Sequence, residues 1–151
     1  MRRFNRQWGN GDTINYSIGQ GYMLMTPIQI ARLYAAIANG GKMVTPHLNS
    51  KGYREPEDIG LNPDKLAIVK RGLESVVSRG TGSRAGRFGV KVAGKTGTAQ
   101  NSHGDDHALF AGYAPADDPK YVAVAVIEGG KHGSSVAGPI VGQMLAHLLS
   151  H

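Results

Sequence analysis

Apolar residues recur at helical spacing in three stretches of the chain. Ile30, Leu33, Tyr34 and Ile37 follow a capping hydroxyl and an N-terminal proline at Thr26-Pro27, and Asn39-Gly40-Gly41 supplies the stop. Leu66, Val69, Leu73, Val76 and Val77 predict a second helix, opened by Asn62-Pro63-Asp64 and ending at Ser78-Arg79-Gly80. Ile140, Val141, Met144, Leu145 and Leu148 predict a third, over about 136–149. Three strands are expected near 89–98, 107–114 and 120–128, with Pro115-Ala116-Asp117-Asp118-Pro119 as the turn between the last two. Tyr121 to Ile127 is apolar on both faces, so both faces should be covered, one of them by the third helix.

The remaining stretches carry weaker signals. Residues 1–12 are polar, with a lone Trp8 and no apolar period, and Ile14 to Tyr22 is a short apolar patch closed by a glycine turn. Met43-Val44-Thr45-Pro46 reads as a short strand, 49–60 as a polar surface loop, and Gly80 to Gly86 as a mobile glycine loop. Met23 and Met25 are expected in the core. The order predicts an α+β fold, an antiparallel sheet covered by helices.

At 151 residues the chain is one domain or a piece of one, and 40% hydrophobic with 19% charged residues is ordinary for a soluble globular protein. No apolar run approaches the length of a bilayer, and no signal peptide is evident. With no cysteine there is neither a disulfide framework nor a thiolate metal site. The net charge of +6 comes from scattered basic residues, apart from Arg2, Arg3, Arg6 and the group Arg79, Arg84, Arg87. Without interleaved aromatics it reads as solubility rather than nucleic-acid binding.

Chemistry concentrates in Val92-Ala93-Gly94-Lys95-Thr96-Gly97-Thr98-Ala99-Gln100, which follows a strand-like alternation. In a strand, Thr96 and Thr98 place their hydroxyls on one face and Lys95 points to the other. Gly97 bares the backbone between them. Two hydroxyls, a nearby cation and backbone N–H groups suit a carboxylate and a developing oxyanion.

Two motifs lay claim to these residues. Gly89 to Thr96 matches the phosphate-binding loop G-x-x-x-x-G-K-[ST], and Lys95-Thr96-Gly97 matches the K-T-G box of penicillin-binding proteins and class A β-lactamases. The phosphate loop needs a helix starting at the Lys-Thr pair. Here Val90-Lys91-Val92-Ala93 reads as strand, and Gly97 to Gly104 has no helical period.

Ser17-Ile18-Gly19-Gln20-Gly21, Thr26-Pro27-Ile28-Gln29, Asn39-Gly40-Gly41 and Ala93 to Gln100 stand in an order that resembles the transpeptidase domain of class B penicillin-binding proteins. The run His103 to Pro115 looks most like the elongation-type members, penicillin-binding protein 2. The resemblance spans about residues 10–149. It implies a partial penicillin-binding-protein/β-lactamase-like fold and a serine D,D-transpeptidase that cross-links peptidoglycan and is acylated by β-lactams. It also implies roles for the box. Lys95 would assist a proton-shuttling hydroxyl, Thr96 and Thr98 would hold the terminal carboxylate of a D-Ala-D-Ala stem peptide or a β-lactam, and the Thr98 N–H would form half of the oxyanion hole. The implied partners are the remainder of the same protein and cell-wall elongation proteins, with no cofactor. The implied location is the outer face of the cytoplasmic membrane, anchored by a preceding segment, the fragment itself being soluble.

The family also needs an S-x-x-K nucleophile and an S-x-N partner. Ser17, Ser50, Ser75, Ser78, Ser83, Ser102, Ser134 and Ser135 have no lysine three residues on and no asparagine two on. The chain is therefore expected to be the C-terminal portion of such a domain and inactive alone, since the activated hydroxyl is what opens covalent catalysis. A non-catalytic β-lactam sensor on the same fold is the other reading of the resemblance.

His103, Asp105, Asp106 and His107 carry metal-ligand chemistry, yet their place in a hairpin loop beside glycine points to loop hydrogen bonding instead. His107, at the start of the strand expected beside the K-T-G strand, is a candidate for lining the substrate groove, or a rim histidine. Glu128 before Gly129-Gly130 resembles a magnesium-holding acid of a nucleotidase but more simply marks a turn.

Overall fold

The computed structural model describes residues 7–21, 23–101 and 103–151; Arg2, Arg3, Arg6, Tyr22 and Ser102 lie outside the described residues. Its centre is an antiparallel sheet of three strands in sequence order, β3 (Ala93–Ala99), β4 (His107–Ala114) and β5 (Tyr121–Ile127). Lys95 registers opposite Ala111, Thr96 opposite Phe110 and Thr98 opposite Ala108, and in the order β3-β4-β5, β3 is an edge strand, as is β5. The strand begins at Ala93, later than expected; ahead of it Gly89 takes a left-handed φ of 78° and the Lys91 carbonyl accepts from Ala116 N–H of the β4–β5 turn at 2.8 Å. This disposes of the phosphate-loop reading: Gly94 to Thr98 is strand, and no helix starts at Lys95-Thr96.

Helices cover both faces, as the double apolar character of β5 requires. On one face α4 (Ala137–Leu149) packs Ala137, Val141 and Leu145 against Ala108, Phe110, Ala114 and Ala123. The buried side of α4 is this i, i+4, i+8 line with the adjoining Gly138 and Gly142. Ile140, Met144 and Leu148, expected to help cover the sheet, fall on the exposed side of the helix. On the other face α2 (Pro27–Ala38) sets Tyr34, Ile37 and Ala38 over Ala93, Tyr113 and Val122. Its start is a reciprocal cap, in which Thr26 Oγ1 accepts from Gln29 N–H and Gln29 Oε1 accepts from Thr26 N–H at 2.8 Å. At its end Lys70 Nζ donates to the Ala38 carbonyl at 2.8 Å, a cation at the negative pole of the helix. Leu33 and Val69 of α3 (Pro63–Arg79) are exposed, because the helix faces actually buried are narrower than the apolar stripes; Met25, expected in the core, is exposed in the segment ahead of α2.

Three local expectations are corrected. Residues 10–17 form α1 (Asn10–Ser17), opened by Asp12 Oδ2 accepting from Gly9 N–H at 2.8 Å and braced by Trp8 Nε1 donating to Thr13 Oγ1 at 2.8 Å. The short strand is only β1 (Lys42–Met43), and its partner β2 (Glu57–Asp58) arises inside the stretch read as loop. The glycine stretch 80–86 ends in a 3-10 helix, Ser83–Gly86, whose Ala85 is fully buried under α4. A Cβ on Gly142 of α4 would lie 2.1 Å from the Ala85 carbonyl oxygen, so glycine is what allows that contact.

Candidate active site

Phe110 positions the hydroxyl strand. Its fully buried ring lies over Gly94 and Gly112, and a Cβ on either would come within 2.9 Å of the ring. The glycine before Lys95 is thus a packing requirement of the sheet. Lys91, just ahead of β3, pairs with Glu74 of α3 at 3.3 Å and approaches Asp117 of the β4–β5 turn at 3.9 Å.

Along β3, Thr96 and Thr98 fall on the α4 face together with Phe110, while Lys95 registers on the α2 face. Because β3 is an edge, the lysine chain bends round it. Its Nζ donates to the Thr96 carbonyl at 2.9 Å and to Thr96 Oγ1 at 3.3 Å. A cation and a hydroxyl that alternate across the strand, Lys95 Nζ and Thr96 Oγ1, therefore meet at one edge.

Two more side chains reach this edge. Thr81 Oγ1 lies 3.0 Å from Thr96 Oγ1, and Gln20 Nε2 donates to the Thr98 carbonyl at 3.2 Å. In an antiparallel strand the N–H and C=O of one residue point to the same side. Since the Thr98 carbonyl meets Gln20 away from β4, its N–H faces the free edge too. Sequence reasoning assigned no role to Thr81 or Gln20. Gln20 stands in a quoted motif, but a contact 78 residues away leaves no local signal.

Gly97 is approached closely, by the chain's own backbone. A Cβ on Gly133, in the segment after β5, would lie 2.5 Å from the Gly97 carbonyl oxygen and 2.3 Å from that of Leu109. That segment is tied to the β3–β4 connection by Lys131 N–H donating to the Asp106 carbonyl at 2.8 Å and by the Lys131–Asp105 ion pair at 3.6 Å.

His107 is not brought to the threonines. It registers opposite Ala99, on the face of Lys95, and its Nδ1 accepts from Gly129 N–H at 3.1 Å. There it lines an apolar cavity of about 360 Å³ with Met23, Met25, Leu109 and Val126. Asp106 Oδ1 accepts from Asn101 N–H at 3.2 Å, so the hairpin acids are engaged in loop bonds and the Lys131 pair. Among the described residues no three metal-ligating side chains converge. Glu128 is exposed in a turn.

The site is thus an edge strand that carries one lysine and two threonines on a helix-covered antiparallel sheet. The family model described as penicillin binding protein transpeptidase domain matches residues 4–146, and the chain belongs to that family. It is 39% identical to the peptidoglycan D,D-transpeptidase MrdA of Haemophilus influenzae over 99% of this chain and 28% of that protein. The Escherichia coli MrdA is 28% identical over 100% of this chain and 28% of its own length. Among solved structures, Pseudomonas aeruginosa PBP2 in complex with WCK 5153 aligns with TM-score 0.81 and 41% identity over 98% of this chain and 35% of that one. The PBP2 of Helicobacter pylori, in a complex with MreC, aligns with TM-score 0.86 and 33% identity over 99% and 29%. The fold is accordingly a partial penicillin-binding-protein fold, and the chain spans under a third of the length of the MrdA relatives it matches.

Proposed function

We propose that this chain supplies the substrate-carboxylate side of a peptidoglycan D,D-transpeptidase site in a class B penicillin-binding protein of the PBP2 type. The observation that carries the reading is the meeting of Lys95 Nζ, the Thr96 hydroxyl and the outward-facing Thr98 peptide group at one edge of β3, which among the described residues pairs with no further strand. An acyl-D-Ala-D-Ala peptide, or a β-lactam, places its carboxylate against Thr96 and Thr98. Charge-assisted hydrogen bonds of this kind contribute roughly 1.5–3 kcal/mol each. Lys95 offsets the negative charge from 3.3 Å behind Thr96 Oγ1. The Thr98 N–H then donates to the oxyanion that forms as the carbonyl is attacked, a contact whose loss typically costs about 10²–10³ in rate.

The attacking serine and its lysine belong, in this reading, to another stretch of a longer protein, and the chain alone carries out no acylation. That protein works at the outer face of the cytoplasmic membrane beside elongation partners of the MreC kind. Among the described residues no helix is long and apolar enough to cross a membrane.

The test has two arms. Acetyl-D-Ala-D-Ala should shift the amide resonances of residues 95–98 and bind more tightly than its C-terminal amide, a preference that Thr96→Val should abolish. Equal binding of acid and amide would remove the carboxylate site. A fluorescent penicillin should leave no covalent adduct on the 151-residue chain, and an adduct would show that a nucleophile is present.

A further inference from the structure

The end of α3 is folded back so that Thr81 meets the hydroxyl strand. Gly80 N–H and Gly82 N–H both donate to the Val76 carbonyl, at 3.1 and 2.9 Å, which wraps the chain tightly round the helix end. A Cβ on Gly82 would lie 3.0 Å from Val76 Cγ1 and 3.2 Å from the Phe110 ring, so the turn is seated against the core. Thr81 itself is exposed, with its Oγ1 3.0 Å from Thr96 Oγ1.

Hydrogen-bond bookkeeping at Thr96 gives this contact a direction. A hydroxyl has one hydrogen and two lone pairs, whereas an ammonium only donates. Lys95 Nζ, 3.3 Å away, therefore fills one lone pair of Thr96 Oγ1. If Thr96 donates to Thr81, its hydrogen is occupied and it has nothing to offer an anion. If Thr81 donates to Thr96, both lone pairs are filled and the Thr96 hydrogen is left for an incoming group. A carboxylate is acceptor-only and selects the second arrangement, which requires two hydroxyl rotations and no movement of heavy atoms.

From this geometry we infer that Thr81 is a positioning residue for the transpeptidase site, orienting the Thr96 hydroxyl as a donor toward the substrate carboxylate. The inference rests on the carboxylate-site reading given above. A structural bridge between the loop and β3 would use the same 3.0 Å contact but would be indifferent to the ligand's charge.

The discriminating experiment titrates the 151-residue chain with acetyl-D-Ala-D-Ala and with its amide, following backbone amide resonances, for wild type, Thr81→Val and Thr81→Ser. Thr81→Val should weaken binding of the acid about fivefold, the usual consequence of losing one supporting hydrogen bond, and leave the amide unaffected. Thr81→Ser should restore the acid preference, and both variants should keep the wild-type urea midpoint. Thr81→Ala serves the same purpose should the valine disturb the loop. A wild type that prefers the acid while the hydroxyl-free variants bind it equally well would overturn the role of Thr81 alone. So would a serine variant no better than the valine. A wild type with no preference for the acid would sink the carboxylate site and this inference together.

Discussion

Gln20 Nε2 donates to the Thr98 carbonyl oxygen at 3.2 Å, joining the turn after α1 to the far end of the hydroxyl strand. The bond occupies one outward acceptor of the edge strand and fixes the peptide plane beside the Thr98 N–H. Gln20→Ala should therefore lower acetyl-D-Ala-D-Ala affinity about two- to fivefold with little change in urea midpoint, an exposed hydrogen bond being worth about 1 kcal/mol or less. Gln20→Glu should do worse, because an ionised carboxylate only accepts and would face a carbonyl oxygen. Titration of the two variants side by side checks the order.

Gly94→Ala should destabilise the fold by about 1–3 kcal/mol or more, as overpacking of a filled core does. Its Cβ would sit 2.5 Å from the Ala111 carbonyl oxygen and 2.8 Å from the Phe110 ring. Gly97→Ala meets only the Leu109 side chain, its Cβ at 3.2 Å, and should cost clearly less. Urea denaturation of the pair measures the difference.

Tyr113 is fully buried between the sheet and α2, and among the described residues its hydroxyl has no hydrogen-bond partner. Tyr113→Phe keeps the ring and removes the unsatisfied oxygen, so it should be neutral or stabilising by about 1 kcal/mol. A loss of stability in thermal or urea unfolding would mean that the hydroxyl is satisfied in solution.

Burial pushes the phenols of Tyr34 and Tyr113 up to about 12, with Tyr113 adding to the shift at Tyr34 and the Glu74 carboxylate to that at Tyr113. Above the ordinary tyrosine value of 10, the unfolded chain releases protons that the folded chain still holds. Stability is therefore undiminished below pH 10 and falls between pH 10 and about 12. Ultraviolet titration should show Tyr34 and Tyr113 ionising late, together with loss of the fold.

The sheet and α2, α3 and α4 were legible because each carries a strong local signal. The cap at Thr26, the period from Leu66 to Val77 and the alternation into Lys95-Thr96-Gly97-Thr98 are contained within one element each. Helix α1 was not, since Asn10 to Ser17 is polar and held by Asp12 and Trp8 rather than by an apolar stripe. The same limit applies to the site. Threonine spacing predicted which hydroxyls share a face, but the bending of Lys95 round the edge depends on that edge carrying no further strand among the described residues. Thr81 is brought in by glycines at 80 and 82, whose purpose shows only once the Val76 carbonyl and the Phe110 ring are in place. His107 illustrates the converse. Its position at the strand start was right, and the register then turned it to the opposite face.

Main chain meets main chain where Gly133 rests on Gly97 and Leu109, with no side chain between them to act as a cushion. A displacement at Gly133 should therefore be felt directly by the strand that bears the hydroxyls, and one of the strand by Gly133. Any methyl group added at 133 would pry them apart and decouple the two.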